Sequence, residues 1–204
     1  MDKFESSPQS VKGMSKSRLE TFTDGVLAII ITIMVLDLHV PQRSTMSSLI
    51  PLIHHLISYA LSFIYIAIYW NNHHHLFHLV KEVNGPILWA NAHLLFWLST
   101  IPFATAWAGQ HDFARDPVIL YGICLFLCAV AYFILAHQLI KFHGRKSDIA
   151  HALGTDVKGK MSMFLYALAI ALAFIWPYLA VTLYSIVAAM WIIPDRRIER
   201  ANIH

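Results

Sequence analysis

The stretch Arg18-Leu-Glu-Thr-Phe22-Thr23-Asp24-Gly25-Val-Leu-Ala-Ile29-Ile-Ile-Thr32-Ile33-Met-Val-Leu36-Asp37 decides how the chain is to be read. From Gly25 onward it is an apolar run with one hydroxyl, Thr32, and it closes on Asp37. Before Gly25 it carries Arg18, Glu20 and Asp24. Ionisable groups at the mouth of a membrane helix are costly unless paired or hydrated. Ile29, Ile33 and Leu36 recur at i, i+4 and i+7, one stripe of an α-helix, which Phe22 and either Gly25 or Val26 extend. Basic residues ahead of an apolar core imitate a secretory leader. Thr32 in the core, Asp37 at its end and the lack of a small-residue cleavage site favour a retained helix. By spacing alone the acidic start reads as a cap, with Thr23 or Asp24 at the N-cap and negative charge favoured at the helix start. A lone Thr32 is equally plain, since its hydroxyl can bond back to the i−4 carbonyl.

Composition widens this to the whole chain. Of 204 residues, 57% are hydrophobic and only 13% charged, against about 25% charged in globular domains. Mean hydropathy is +0.56. These values exclude a disordered chain and argue against a water-soluble one. A formal net charge of +3 gives no reason to expect a nucleic-acid partner. A spanning helix needs about 20 apolar residues. Beyond the first block, read as Gly25–Val40, the candidates are Leu49–Trp70 with its helix continuing to about His78, then Ile87–Trp107 and Val118–Ile140. The last block, Met161–Ile193, is long enough for two spans if Trp176-Pro177 breaks it, because proline lacks a backbone donor and clashes with the preceding turn. The expectation is an all-α polytopic membrane protein with six transmembrane helices. It divides into an N-terminal tail (1–17), a membrane domain (18–194) and a C-terminal tail (195–204). Thirteen of the fifteen Lys and Arg residues then fall on one side, leaving only Arg43 and Arg115 on the other. The positive-inside rule places both termini in the cytoplasm. Loops and tails are too short for an enzyme domain, so any chemistry must lie in or near the membrane. Cys124 and Cys128, four apart in one apolar stretch, imply no disulfide framework.

Arg18-x-x-x-Phe22-Thr23-Asp24 ahead of an Ile-rich helix resembles the R-x-x-x-F-S-D signature of the transmembrane protein 175 family, the endosomal and lysosomal potassium channels and their bacterial relatives. Thr23 stands where that family usually has Ser. Trp70-Asn71-Asn72-His73-His74 resembles its W-x-N-H-H element, Pro102-Phe103-Ala104-Thr105 its P-F-x-T, and Trp191-Ile-Ile-Pro194 the close of its sixth helix. The resemblance implies a potassium-preferring cation channel, built as a homotetramer whose first helices line a central pore and needing no cofactor. The chain has no T-V-G-Y-G loop of carbonyl ligands. Carried over by the motif, Ile29 would form the narrowest apolar ring, with Ile33 and Leu36 further out and Thr32 as the polar layer linked to potassium preference. Arg18, Thr23 and Asp24 would join a hydrogen-bond network with the His and Trp of neighbouring helices. Asp37, near the outer end, could concentrate cations at the pore mouth. A single short repeat resembles the bacterial members, which implies the plasma membrane with its lipid as surroundings.

The thirteen histidines leave other functions open. His74 and His75, each paired with His78, have the i, i+4 and i, i+3 spacing of metal ligands on a helix. His93 and one of His73–His75 could face each other as axial haem ligands. The reading that agrees with the family network is structural: His73 or His74 at the depth of Asp24, with Trp70 supplying packing and an indole donor. His54, His55, His75 and His78 are then interfacial. A proton-coupled transporter using Asp24 and His73 or His74 is a further alternative, since a His–Asp pair can titrate near neutrality.

Overall fold

A computed structural model describes residues 14–154 and 156–192. Among the described residues eight helices follow in order: α1 (Ser17–Leu36), α2 (Ile53–His78), α3 (Gly85–Ser99), α4 (Ile101–Gln110), α5 (Arg115–His143), α6 (Asp148–Leu153), α7 (Val157–Ala173) and α8 (Pro177–Ile192). A 3-10 segment, Met46–Leu52, leads into α2. Two short strands, β1 (Met14–Ser15) and β2 (Glu82–Val83), pair antiparallel with Met14 opposite Val83. They fasten the start of α1 to the loop between α2 and α3.

Helix α5 forms the centre. Leu125, Cys128, Ala131, Leu135 and Leu139 along it are fully buried. It packs against α3, α4, α7 and α8, while α2 packs against α4 and α8. Helix α1 lies on the outside of this bundle, against α2, α3 and α4. Residues 85–110 form one broken stretch. Pro102 has no N–H to continue the α3 ladder, and Thr100 turns its own N–H and hydroxyl back onto the Trp97 carbonyl (3.1 and 2.6 Å). The Thr105 hydroxyl donates to Ser62 Oγ (2.6 Å), Ser62 meets Tyr121 Oη (2.9 Å), and Ser58 donates to the Thr105 carbonyl (2.7 Å). Buried hydroxyls joined in this way tie α2, α4 and α5 together where no water can serve them.

Four stretches are long and apolar enough to cross a membrane: Ser17–Leu36, Met46–His78, Gly85–Gln110 and Arg115–His143. The chain is therefore a multi-pass membrane protein. Helices α7 and α8 have 17 and 16 residues, roughly 25 Å each at 1.5 Å per residue. The break between them falls at residues 174–176, directly before Pro177, which takes the first position of α8. Ala169 and Ala173 are fully buried on α7, and Ala180 on α8. Small side chains of this kind let helices approach closely.

The cap reading of the first motif is corrected. Helix α1 begins at Ser17 and ends at Leu36, so Thr23 and Asp24 lie in its second turn, not at its start. The polar half of the motif is as helical as the apolar half, because its side chains find partners on α2 and α3. Most of the tails assigned to 1–17 and 195–204 lies outside the described residues. So do Pro194 and the basic residues Lys3, Lys12, Arg196, Arg197 and Arg200.

Candidate pore helix and its hydrogen-bonded anchor

Helix α1 has two faces. Leu19, Thr23, Leu27, Ile30 and Met34 are buried at steps of three and four, which turns one face into the bundle. On a face beside it Phe22, Ile29, Ile33 and Leu36 are 61%, 59%, 50% and 82% exposed. Leu27, Ile30 and Met34 bury their side chains against the bundle, while among the described residues nothing of comparable size covers Ile29, Ile33 and Leu36. Thr32 is exposed beside that stripe, and its hydroxyl donates to the Ile29 carbonyl at 2.8 Å. With its proton engaged there, the oxygen keeps lone pairs free for an outside partner.

The N-terminal half of α1 is anchored by polar side chains. Trp70 Nε1 of α2 donates to Asp24 Oδ1 at 3.0 Å. Asn91 Nδ2 of α3 donates to Thr23 Oγ1 at 2.9 Å. Asn91 Oδ1 faces His73 Nε2 at 2.9 Å. Because the Asn91 oxygen can only accept, His73 carries its proton on Nε2. Thr23, His73 and Asn91 are all buried, at 1%, 4% and 2% exposed. The His73 ring stacks on Phe77, with centroids 4.2 Å apart. Lys16 adds a bond from its ammonium to the Phe77 carbonyl. Three helices thus meet in one satisfied polar chain, which a low-dielectric setting makes costly to break.

His73 joins this network through Asn91, with no direct bond to Asp24. His74 stays out of it and stacks on Trp70, with centroids 5.9 Å apart and planes 22° apart. Arg18 is exposed and bonds to no described residue; it flanks a shallow cleft with Phe22, Leu88 and Asn91. Asp37 caps the other end of α1 and is held by His55 Nε2 at 3.0 Å. His55 is therefore a buried partner of α1, not an interfacial residue. His54 engages Asp112 at 2.8 Å, so the His54-His55 pair clamps two different elements.

Asn91 was not singled out by sequence reasoning. The available signal was one amide within the apolar run Ile87–Trp107, since an amide at membrane depth needs partners. Among the described residues no group of three or more His, Cys, Asp or Glu side chains could hold a metal. His93, a candidate haem ligand, is exposed and accepts from its neighbour Trp97 at 2.9 Å, while His73 is buried against Asn91.

Comparison with known proteins places this geometry. The family described as endosomal/lysosomal potassium channel TMEM175 matches residues 18–102, which hold α1, the anchor residues of α2 and α3, and the Pro102 break. A potassium channel of Chryseobacterium sp. (strain P1-3) is 53% identical over 92% of this chain and 98% of its own. A potassium channel of Chamaesiphon minutus is 31% identical over 84% of this chain and 90% of its own. The bovine endosomal/lysosomal proton channel TMEM175 is 28% identical over 60% of this chain, but that is 29% of the bovine protein. The crystal structure of a lysosomal potassium-selective channel TMEM175 homologue from Chamaesiphon minutus superposes with a TM-score of 0.76, at 29% identity, covering 92% of this chain and 98% of that one.

Proposed function

The chain belongs to the TMEM175 family, and from that premise we propose that it is a potassium-preferring cation channel whose pore is lined by α1. The observation that carries this reading is the unpartnered apolar face Phe22–Ile29–Ile33–Leu36 on a helix whose other face is buried and bolted to the bundle. Four copies around an axis would cover that face and turn each residue into a ring. In this reading α7 and α8 complete six spans per subunit, and both termini lie on the cytoplasmic side of the plasma membrane. A ring of four Ile29 side chains forms the constriction, and a narrow apolar ring of this kind dewets and blocks ions until α1 shifts. Ile33 and Leu36 make the next rings outward. Thr32, with its proton given to Ile29, offers oxygen lone pairs that replace part of an ion's hydration shell. Asp37 at the mouth adds negative charge, reduced by its bond to His55. Trp70–Asp24 and His73–Asn91–Thr23 hold the inner half of α1 at a fixed rotation, and Arg18, exposed and bonded to no described residue, reaches toward a neighbouring copy.

Ion flux from liposomes reconstituted with purified protein tests this reading, under a potassium gradient and then a sodium gradient. Potassium flux above sodium flux, raised by Ile29→Asn, is the expected result. Assembled protein that passes neither ion, as wild type or as Ile29→Asn, would refute it. Because the bovine relative bears the name of a proton channel, a pH-sensitive dye inside the same liposomes measures proton flux in parallel.

A further inference from the structure

On the side of the bundle away from α1, helices α2, α5, α7 and α8 line a narrow cleft. Its walls are mostly aromatic. Tyr69, Tyr132, Phe133, Tyr166 and Trp191 present rings to it, and Asp156 places a carboxylate at the same cleft. The rings are held in place. Tyr132 Oη donates to the Asn72 carbonyl at 3.3 Å, and the Tyr69 and Tyr132 rings meet edge to face at 6.2 Å. Trp191 Nε1 donates to the buried Ser162 Oγ at 2.8 Å. Asp156 is fixed as the N-cap of α7, with its Oδ1 accepting from the Gly159 N–H at 3.1 Å. Gly159 permits this, since a Cβ there would lie 2.7 Å from that Oδ1. The chain's own chemistry shows what such a wall attracts: the Lys158 ammonium sits 4.9 Å from the centroid of the Trp191 ring. Several aromatic side chains lining a cleft beside one fixed carboxylate offer an ammonium group both aromatic quadrupoles and a negative charge.

We propose that this cleft is a binding site for a small organic ammonium group, separate from the pore helix and present once in every subunit. The group belongs either to a free amine or to the amine headgroup of a lipid, because the helices flanking the cleft lie in the membrane. The proposal does not rest on the channel reading: no residue of α1 lines the cleft.

The probe is tetramethylammonium chloride, titrated by calorimetry into the purified full-length protein against sodium chloride of equal strength. The expected result is saturable binding, weakened about tenfold or more in Asp156→Asn, where an amide keeps the α7 cap but removes the charge. Tyr132→Leu, away from that cap, should weaken binding by several-fold. Equal binding by wild type, Asp156→Asn and Tyr132→Leu would overturn the site, as would no saturable binding in folded wild type. Native mass spectrometry with phosphatidylethanolamine and phosphatidylglycerol separates the two sources. Selective retention of the ethanolamine lipid, lost in Asp156→Asn, supports a headgroup. Tetramethylammonium binding without lipid retention supports a free amine.

Discussion

Asn91 is the residue on which the anchor of α1 turns. Its amide donates to Thr23 and accepts from His73 at the same time. Asn91→Leu keeps the volume and removes both bonds, leaving a buried hydroxyl and a buried imidazole to find new partners. The expected loss is about 1–3 kcal/mol, read as a lower midpoint of thermal unfolding in detergent; an unchanged midpoint would deny the relay any structural weight. Trp70→Phe deletes the indole donor to Asp24 and trims the ring stacked on His74, leaves no buried imidazole unpaired, and should cost less, about 0.6–1.7 kcal/mol. Asp24, Thr23, Trp70 and His73 were legible as a set because unusual polar residues at a membrane boundary announce themselves. Their pairing was not. Which of His73 and His74 turns inward depends on the rotation of α2, and the amide that links His73 to Thr23 comes from a helix whose register against α1 no local pattern encodes.

At the scale of the element, α1 works by having two unlike faces, and the stripe Ile29, Ile33, Leu36 was readable from periodicity alone. That this stripe is the open face could not be read, because the residues between it are equally apolar: Ile30 and Met34 are buried while Ile29 and Ile33 are not. The choice is made by packing against α2, α3 and α4. Thr32→Ala removes the one polar group flanking the stripe, and reversal potentials in mixed potassium and sodium should shift toward no preference. Unchanged potentials would show that Thr32 takes no part in selection. The start of α1 was misread as a cap for a related reason: Thr and Asp favour N-caps when nothing else binds them, and here other helices do. Close approach is set elsewhere by glycine. A Cβ at Gly109 would lie 2.7 Å from the backbone Cα of His55, so Gly109→Ala must push α4 away from α2. That should cost about 1–3 kcal/mol and loosen the His55–Asp37 bond at the C-terminal end of α1, visible as faster hydrogen exchange there.

For the whole molecule, the decisive question is what covers α1. The described residues do not: the bundle lies on one side of this helix, and large apolar groups from Phe22 to Leu36 stay exposed on another. Lipid could solvate such groups; Phe164 on α7, 63% exposed, is an apolar side chain on another helix for comparison. Only assembly brings copies of α1 within reach of each other. A cysteine at position 33 separates the two cases, because a disulfide needs Cα atoms within about 7 Å. The two native cysteines, Cys124 and Cys128, are buried in the bundle and stay silent. Under a mild oxidant in membranes, Ile33→Cys should give disulfide-linked dimers, while Phe164→Cys at equal expression should give none. Cross-linking at both positions would indicate random collision in the bilayer. Cross-linking at neither would leave α1 facing lipid, and an apolar stripe facing lipid can be neither gate nor filter.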